Sequence, residues 1–463
     1  MRIEEELEKT GYFWLPDREN DKKPGILKIK NGGRIELEII GNFDEDLTLF
    51  NKEFDLPRIV GFVEGDGNVT LERCFYTSKN LSFGGGISKS KIYVSMMLSG
   101  AAWEKDESVT FSSLAFSVDC LDEWVGISGI NVQHDWKNKT AQIDYTTPED
   151  ISISLDEEFT LNICFSGTIP LGLNITEAKI RQNVCFKLTS EKVRPLKDFI
   201  EMAFKITNLM CFAVDDTVSM KNLIATSPDL TIQISEDKNR PAPIKIYYES
   251  QPYSEKKPKK TWHDMLFTYK AISIHADKIF NNWLTAYEKL SPAMALYFST
   301  KTDAQRYIDG KFLALAQGLE TYHRRTSDEV WMDKSQYESL KQEIIENCPE
   351  EHRDWLSGRL EHGNEINLRK RLQAIVEPFK QYLDNSKERA KLLKKIVDTR
   401  NYLTHYNTEL EKDAAEGRDF WVICQKMEAI FSLHFLAVIG FTEEEIETIV
   451  NNSHALQQKL KAE

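Results

Sequence analysis

Arg400-Asn401-Tyr402-Leu403-Thr404-His405 puts a guanidinium, an amide and an imidazole within one and a half turns of a helix. Arginine is permanently charged and presents a planar fork of donors to a phosphate. Histidine is the side chain whose ordinary pKa lets it take and give protons near neutrality. Together these groups suit the cleavage of RNA. On a helix, Asn401 and His405 are four apart and share a face, so the amide can orient the imidazole. Arg400 and His405 are five apart, roughly 140° round the axis, and one straight helix cannot aim both at one phosphate. Either the helix distorts near Leu403, or two copies of the chain complete the site.

The surroundings of the motif are basic. The chain carries a net charge of −14, which repels a polyanion from most of its surface, so an RNA site has to be local. Lys387, Arg389, Lys391, Lys394, Lys395 and Arg400 run along one expected helix, and Arg369, Lys370 and Arg371 open another. Such a run is ordinarily a solvated helix face. Beside Arg400 it becomes a phosphate guide, with Lys391, Lys394 and Lys395 as the RNA-binding candidates. Glu320, Tyr322, His323, Arg324 and Arg325 close the helix that starts near Asp303 and could line a cleft opposite Arg400. Glu320 is kept as a cleft residue. His323 reads as a helix C-terminal group interacting with the dipole.

Other motifs carry less. Gly84-Gly85-Gly86-Ile87-Ser88-Lys89-Ser90 has Ser88 where a phosphate-binding loop needs glycine, and no helix-forming run follows. The pairs His134-Asp135, His263-Asp264 and His275 with Asp277 are isolated, so neither a metal nor another cofactor is expected. Seven scattered cysteines form no C-x-x-C pair and fit a reducing cytoplasm. The acidic N-terminus lacks the apolar core of a signal peptide, and Phe431 to Phe441, interrupted by His434, is too short to span a bilayer. No membrane association is expected.

These residues must be positioned by two kinds of element. The composition, 463 residues with 41% apolar content, allows two or three cores. Gly25 to Lys30 and Arg34 to Ile39 alternate apolar with polar about a Gly32-Gly33 turn, and strand-like runs follow at Val60 to Val63, Ile92 to Leu98, Ser113 to Val118, Thr140 to Tyr145, Phe159 to Phe165 and Val184 to Leu188, with further ones at Leu230 to Ile234 and Ile244 to Tyr248. A helix is expected from Pro195 to Ala213, with Phe199, Met202, Ala203, Ile206 and Met210 on one side. Short strands at this spacing suggest a sandwich or barrel. The charged, Pro-broken segment from Glu255 to Lys260 is taken as the boundary. Beyond Thr261 the period is helical: Ile308, Phe312, Leu315, Leu319 and Tyr322 form one stripe, and Leu372, Ile375, Val376, Phe379 and Leu383 another. The expected fold is therefore α+β, with a β-rich domain at 1–250 followed by an all-α bundle at 261–463.

The R-N-x-x-x-H string late in a basic helix of a C-terminal bundle resembles the signature of the HEPN ribonucleases, helical bundles that pair so that two motifs face each other. The opening Gly11-Tyr12-Phe13-Trp14-Leu15-Pro16, then Pro24-Gly25-Ile26-Leu27 and the hairpin to Gly41-Asn42-Phe43, resembles the N-terminal domain of ApeA-type proteins, in which a β-rich domain precedes a HEPN domain. The resemblance implies anti-phage defence by abortive infection, with RNA, tRNA among the candidates, as the substrate. It also implies a β-rich domain that restrains the nuclease or senses a phage-derived trigger. Arg400, Asn401 and His405 are the expected catalytic residues for metal-independent transesterification leaving 2′,3′-cyclic phosphate and 5′-hydroxyl ends. Concerted acid and base catalysis needs two proton-transfer groups, and one histidine per motif points to a homodimer or higher even oligomer. The rival reading is a non-catalytic bundle that grips a nucleotide phosphate or a partner.

Overall fold

The computed structural model describes residues 1–43, 55–80, 86–155, 158–170, 172, 176–235, 238–302 and 307–462. Gly84 and Gly85 of the glycine run and Asp303 lie outside them. The chain divides into two compact units, Met1–Asn281 and Asn282–Glu463. The 255–260 segment, expected to mark the boundary, therefore lies inside the first unit. The stretch after it is tied to the same unit by the Leu266 N–H, which donates to Ala213 O at 2.8 Å. The rings of Phe267 and Tyr269 also pack edge-on against Phe212 and Trp124 there.

Alternation builds the first unit. Strands β1 (Leu7–Trp14), β2 (Lys23–Ile29), β3 (Ile35–Ile40), β4 (Asp55–Val63), β5 (Gly67–Asn80) and β6 (Lys89–Ser99) pair in the order β6-β3-β2-β1-β4-β5. An additional β5–β6 pairing closes them into a six-stranded barrel. In β3, Ile35, Leu37 and Ile39 are buried while Glu36 and Glu38 face outward. Their register with Leu27 and Ile29 on β2, and with Ile92 and Val94 on β6, stacks aliphatic layers inside the barrel. Gly61 lies under the ring of Phe13, where an added Cβ would come within 2.5 Å of a ring carbon. Glycine is what lets that ring fill the barrel.

An open sheet grows from the barrel. Strand β6 divides one edge, giving Lys89–Val94 to β3 and Met96–Ser99 to β16 (Ile244–Tyr248). From β16 the sheet continues through β13 (Met220–Thr226), β7 (Thr110–Val118), β12 (Arg181–Pro195), β11 (Phe159–Thr168) and β10 (Ile151–Leu155). Two hairpins stand apart: β8 (Ile130–Asp135) with β9 (Thr140–Tyr145), and β14 (Thr231–Ser235) with β15 (Lys238–Pro241). After the short α1 (Leu121–Val125), the helix expected near residue 195 is α2 (Leu196–Val214). Its five anticipated apolar residues are all buried, and Phe199 meets Phe159 of β11 edge-on at 5.2 Å.

Beyond α3 (Tyr269–Ile272) the chain is helical: α4 (Ala276–Ser299), α5 (Ile308–Thr326), α6 (Lys334–Glu346), α7 (Arg353–Leu360), α8 (Leu368–Val376), α9 (Ser386–His405), α10 (Thr408–Glu411), α11 (Gly417–Ile439), α12 (Glu443–Asn452) and α13 (His454–Leu460). The stripe expected from Leu372 to Leu383 is interrupted. Pro378 has no N–H for a continuing helix, so α8 ends at Val376 and a 3-10 turn, Glu377–Tyr382, carries Phe379 into the core. Helix α11 is the core helix. By length and hydropathy it would suit a membrane crossing, yet 78% of its most apolar stretch is buried inside the protein. Its Phe431 and Phe435 pack on Tyr297 of α4, and Phe420 stacks on Phe312 of α5. Among the described residues, no group of three or more His, Cys, Asp or Glu side chains is placed to hold a metal ion.

Candidate active site

Helix α9 is capped by Asn385, whose side chain accepts from the N–H groups of Lys387 and Glu388. Leu393, Ile396, Thr399 and Leu403 form its buried stripe, and the Thr399 hydroxyl accepts from Ala415 N at 2.8 Å. That rotation brings Arg400 against α5. Its Nη2 lies 3.6 Å from Glu320 Oε2, and its Nη1 donates to Asn401 Oδ1 at 3.4 Å.

Glu320 belongs to a larger network. Its Oε1 accepts from Arg324 Nε at 3.2 Å and Nη2 at 3.1 Å, so one carboxylate bridges two arginines. Arg324 Nη1 reaches Glu365 Oε2 at 2.5 Å, and Arg371 Nη2 approaches the same oxygen at 3.4 Å. Arg324's hydrogen bond is the chief reason that the Glu365 carboxyl titrates below its usual range. The buried Arg371 places its Nη1 3.3 Å from His323 Nδ1. Burial first, and the Arg371 charge second, push His323 below the usual imidazole range. His323 thus sits in the arginine network, beside Arg371, in addition to lying near the helix end.

His405 is elsewhere. It is the exposed last residue of α9, followed by Tyr406 in a left-handed cap at φ 47°. The distortion considered near Leu403 does not occur: α9 runs unbroken through His405, Thr404 Oγ1 donates to Arg400 O at 2.7 Å, and Tyr406 N donates to Tyr402 O at 2.6 Å. Arg400 and His405 therefore keep the separation of a regular helix and do not converge within one chain. The expected Asn401–His405 contact is also replaced. The Asn401 amide oxygen is taken by Arg400, and among the described residues no hydrogen bond joins Asn401 to His405.

The three lysines of the proposed phosphate guide differ. Lys391 and Lys394 are solvent-facing, with Glu388 at 2.8 Å and Asp398 at 3.8 Å as neighbours on the same helix. Lys395 instead donates to the carbonyls of Asp413 and Ala414 at 3.0 and 3.2 Å, which makes it a strut. Arg371 and Glu365 become partners only through the packing of α8 on α5. The Glu320/Arg324 spacing of four residues was the available signal for the α5 half of the network; nothing local in the sequence signals that Arg371 turns inward.

Two comparisons bear on this arrangement. A family model described as ApeA N-terminal domain 1 matches residues 8–283, and one described as Apea-like HEPN matches residues 313–445, a span that includes Glu320, Arg371, Arg400 and His405. No curated protein and no solved structure matches.

Proposed function

We propose, since the chain belongs to the ApeA family and joins an ApeA N-terminal domain 1 to an Apea-like HEPN domain, that it is an anti-phage defence effector whose HEPN domain cleaves RNA and aborts infection. The observation that carries this reading is an arginine fork held beside a carboxylate, with an exposed histidine five residues further along the same helix, inside the segment matched as HEPN.

The chemistry follows from RNA itself. One His405 removes the proton from a ribose 2′-hydroxyl, the oxygen attacks the adjacent phosphorus, and the bond to the 5′-oxygen breaks. His405 of the partner subunit protonates that leaving oxygen. Arg400 stabilises the charge that accumulates on the phosphoryl oxygens, and Asn401, already hydrogen-bonded to Arg400, steadies the fork. Proton transfer and charge stabilisation are both met by side chains, so the step calls for no metal. The regular course of α9 through His405 favours sharing the site between two copies, because one helix presents the two groups in different directions. Lys391 and Lys394 guide the phosphates, tRNA is among the candidate substrates, and the N-terminal domain restrains the nuclease until a phage-derived trigger is met in the cytoplasm.

The test is to sequence RNA ends from cells expressing the protein. New 2′,3′-cyclic phosphate and 5′-hydroxyl ends are expected with the natural chain and not with His405→Ala. The same ends produced by a soluble His405→Ala protein overturn the assignment. Failure of the natural chain to produce them under infection leaves the non-catalytic binding module.

A further inference from the structure

Trp331 is an exposed aromatic side chain held in place by the same network that holds Arg400. The residue is 52% exposed, although its backbone is pinned. Trp331 N donates to Asn364 O at 3.0 Å, and the Asn364 side chain clamps Met332 in both directions, accepting from its N–H and donating to its carbonyl, each at 3.0 Å. The preceding Val330 forms an antiparallel bridge with Glu365, whose carboxylate receives Arg324 and Arg371. Contacts thus run continuously from Arg400 through Glu320, Arg324 and Glu365 to the backbone beside Trp331.

A cation completes the arrangement. Lys370 Nζ lies 3.5 Å from the centroid of the Trp331 ring. Its backbone N–H is itself fixed by the Asn367 cap of α8 at 3.0 Å. A half-exposed indole on a pinned backbone, with an ammonium over it, is poorly explained by folding alone, since an exposed tryptophan buries little surface and an exposed cation–π pair contributes modestly. In a chain acidic overall, however, an aromatic face with Lys370 over it, and with the exposed Arg369 next to that lysine in sequence, has the chemistry of a single-stranded nucleic-acid subsite. The base stacks and the cations take the phosphates.

We infer that Trp331 and Lys370 form a base-stacking subsite for unpaired RNA, linked to Arg400 through Glu320, Arg324 and Glu365 and selecting single-stranded segments over duplex. This rests on the ribonuclease reading above and adds to it the structural class of substrate: loops, tails and other unpaired stretches. Duplex RNA is excluded from the subsite because its bases are already stacked and paired.

The experiment uses the full chain carrying His405→Ala, so that bound RNA survives, and a fluorescein-labelled single-stranded oligoribonucleotide read by anisotropy. Adding Trp331→Leu, which keeps an apolar cover but removes the stacking face, is expected to weaken single-strand binding on the order of tenfold. Trp331→Phe should retain most of it. Binding of a fully paired duplex of the same sequence should not change between these variants, and circular dichroism should show the same fold. Equal affinity of the Trp331→Leu and parent chains for the single strand overturns the subsite. So does an equal loss for single strand and duplex. Cleavage by the natural chain is measured alongside. If it persists and depends on Arg400 while Trp331→Leu cuts single strands unchanged, the subsite fails and the ribonuclease stands. If the natural chain neither cuts nor binds RNA, the ribonuclease reading fails and the subsite goes with it.

Discussion

At the scale of single residues, the site is one carboxylate shared between arginines, with a histidine held apart. On the proposed mechanism, Arg400→Ala removes a charge stabiliser and His405→Ala a proton-transfer group. Each should lower cleavage by about 10²- to 10⁴-fold while thermal melting stays near that of the natural chain, because both side chains are at least partly exposed. A rate assay with melting curves on the same samples checks both halves. The same chemistry predicts that cleavage persists in EDTA, and activity restored only by an added divalent ion would contradict it. Buried histidines make a separate prediction about pH. His434 on α11 is held at about 4, chiefly by burial, with its Nε2 2.8 Å from Ile375 O. Its folded value lies below the unfolded one, so its contribution to stability is complete above about pH 6.5 and is lost as pH falls towards 4, by about 3 kcal/mol. His323 shifts in the same direction. Melting temperature should therefore drop between pH 7 and 4.5, and His434→Gln should flatten that dependence. The sequence made Arg400, Asn401, His405 and Glu320 legible because their types and spacings are local. It could not show that Arg371 turns inward or that Lys395 spends its charge on two carbonyls, since both depend on which element packs alongside.

At the scale of elements, periodicity located α2, α5 and α9, and alternation located β3, β7 and β16, because each has one buried face. Strand β5 was harder to see: Glu72, Arg73, Ser78 and Lys79 interrupt its apolar residues, and it earns its place by closing the barrel against β6. The break after α8 was written in Pro378 and hidden by the continuing apolar rhythm of Phe379 and Leu383. Helix α11 carries an interior charge that no pattern foretold. Glu428 is almost wholly buried and meets Lys301 at 3.1 Å, Lys459 at 3.5 Å and Lys311, which contacts its other oxygen. Burial works against the charged form, yet the three ammonium groups together hold the carboxylate at about 2. This cluster ties the chain on either side of residues 303–306, and the last helix, to the core helix. Glu428→Gln would leave three cations around a neutral amide and should cost about 3–5 kcal/mol of stability, read as a lower denaturant midpoint with an unchanged slope.

At the scale of the whole molecule, the proposed ribonuclease mechanism, set against the angular separation of Arg400 and His405 along an unbroken α9, requires assembly for the chemistry. Light scattering should give an even number of subunits, and a charge reversal near Arg400 that separates them should silence cleavage. An active monomer at high dilution would contradict the shared site. Mixing Arg400→Ala with His405→Ala chains should recover part of the activity if the two groups act across the pair. Within the first unit, β6 belongs at once to the closed barrel and to the open sheet, with both of its edges hydrogen-bonded. A strand used twice leaves no seam along which the two could melt separately. Amide exchange should accordingly report one shared opening energy for the barrel and the adjoining strands β16, β13 and β7, and a disturbance felt on the barrel wall will be borne by the sheet as well.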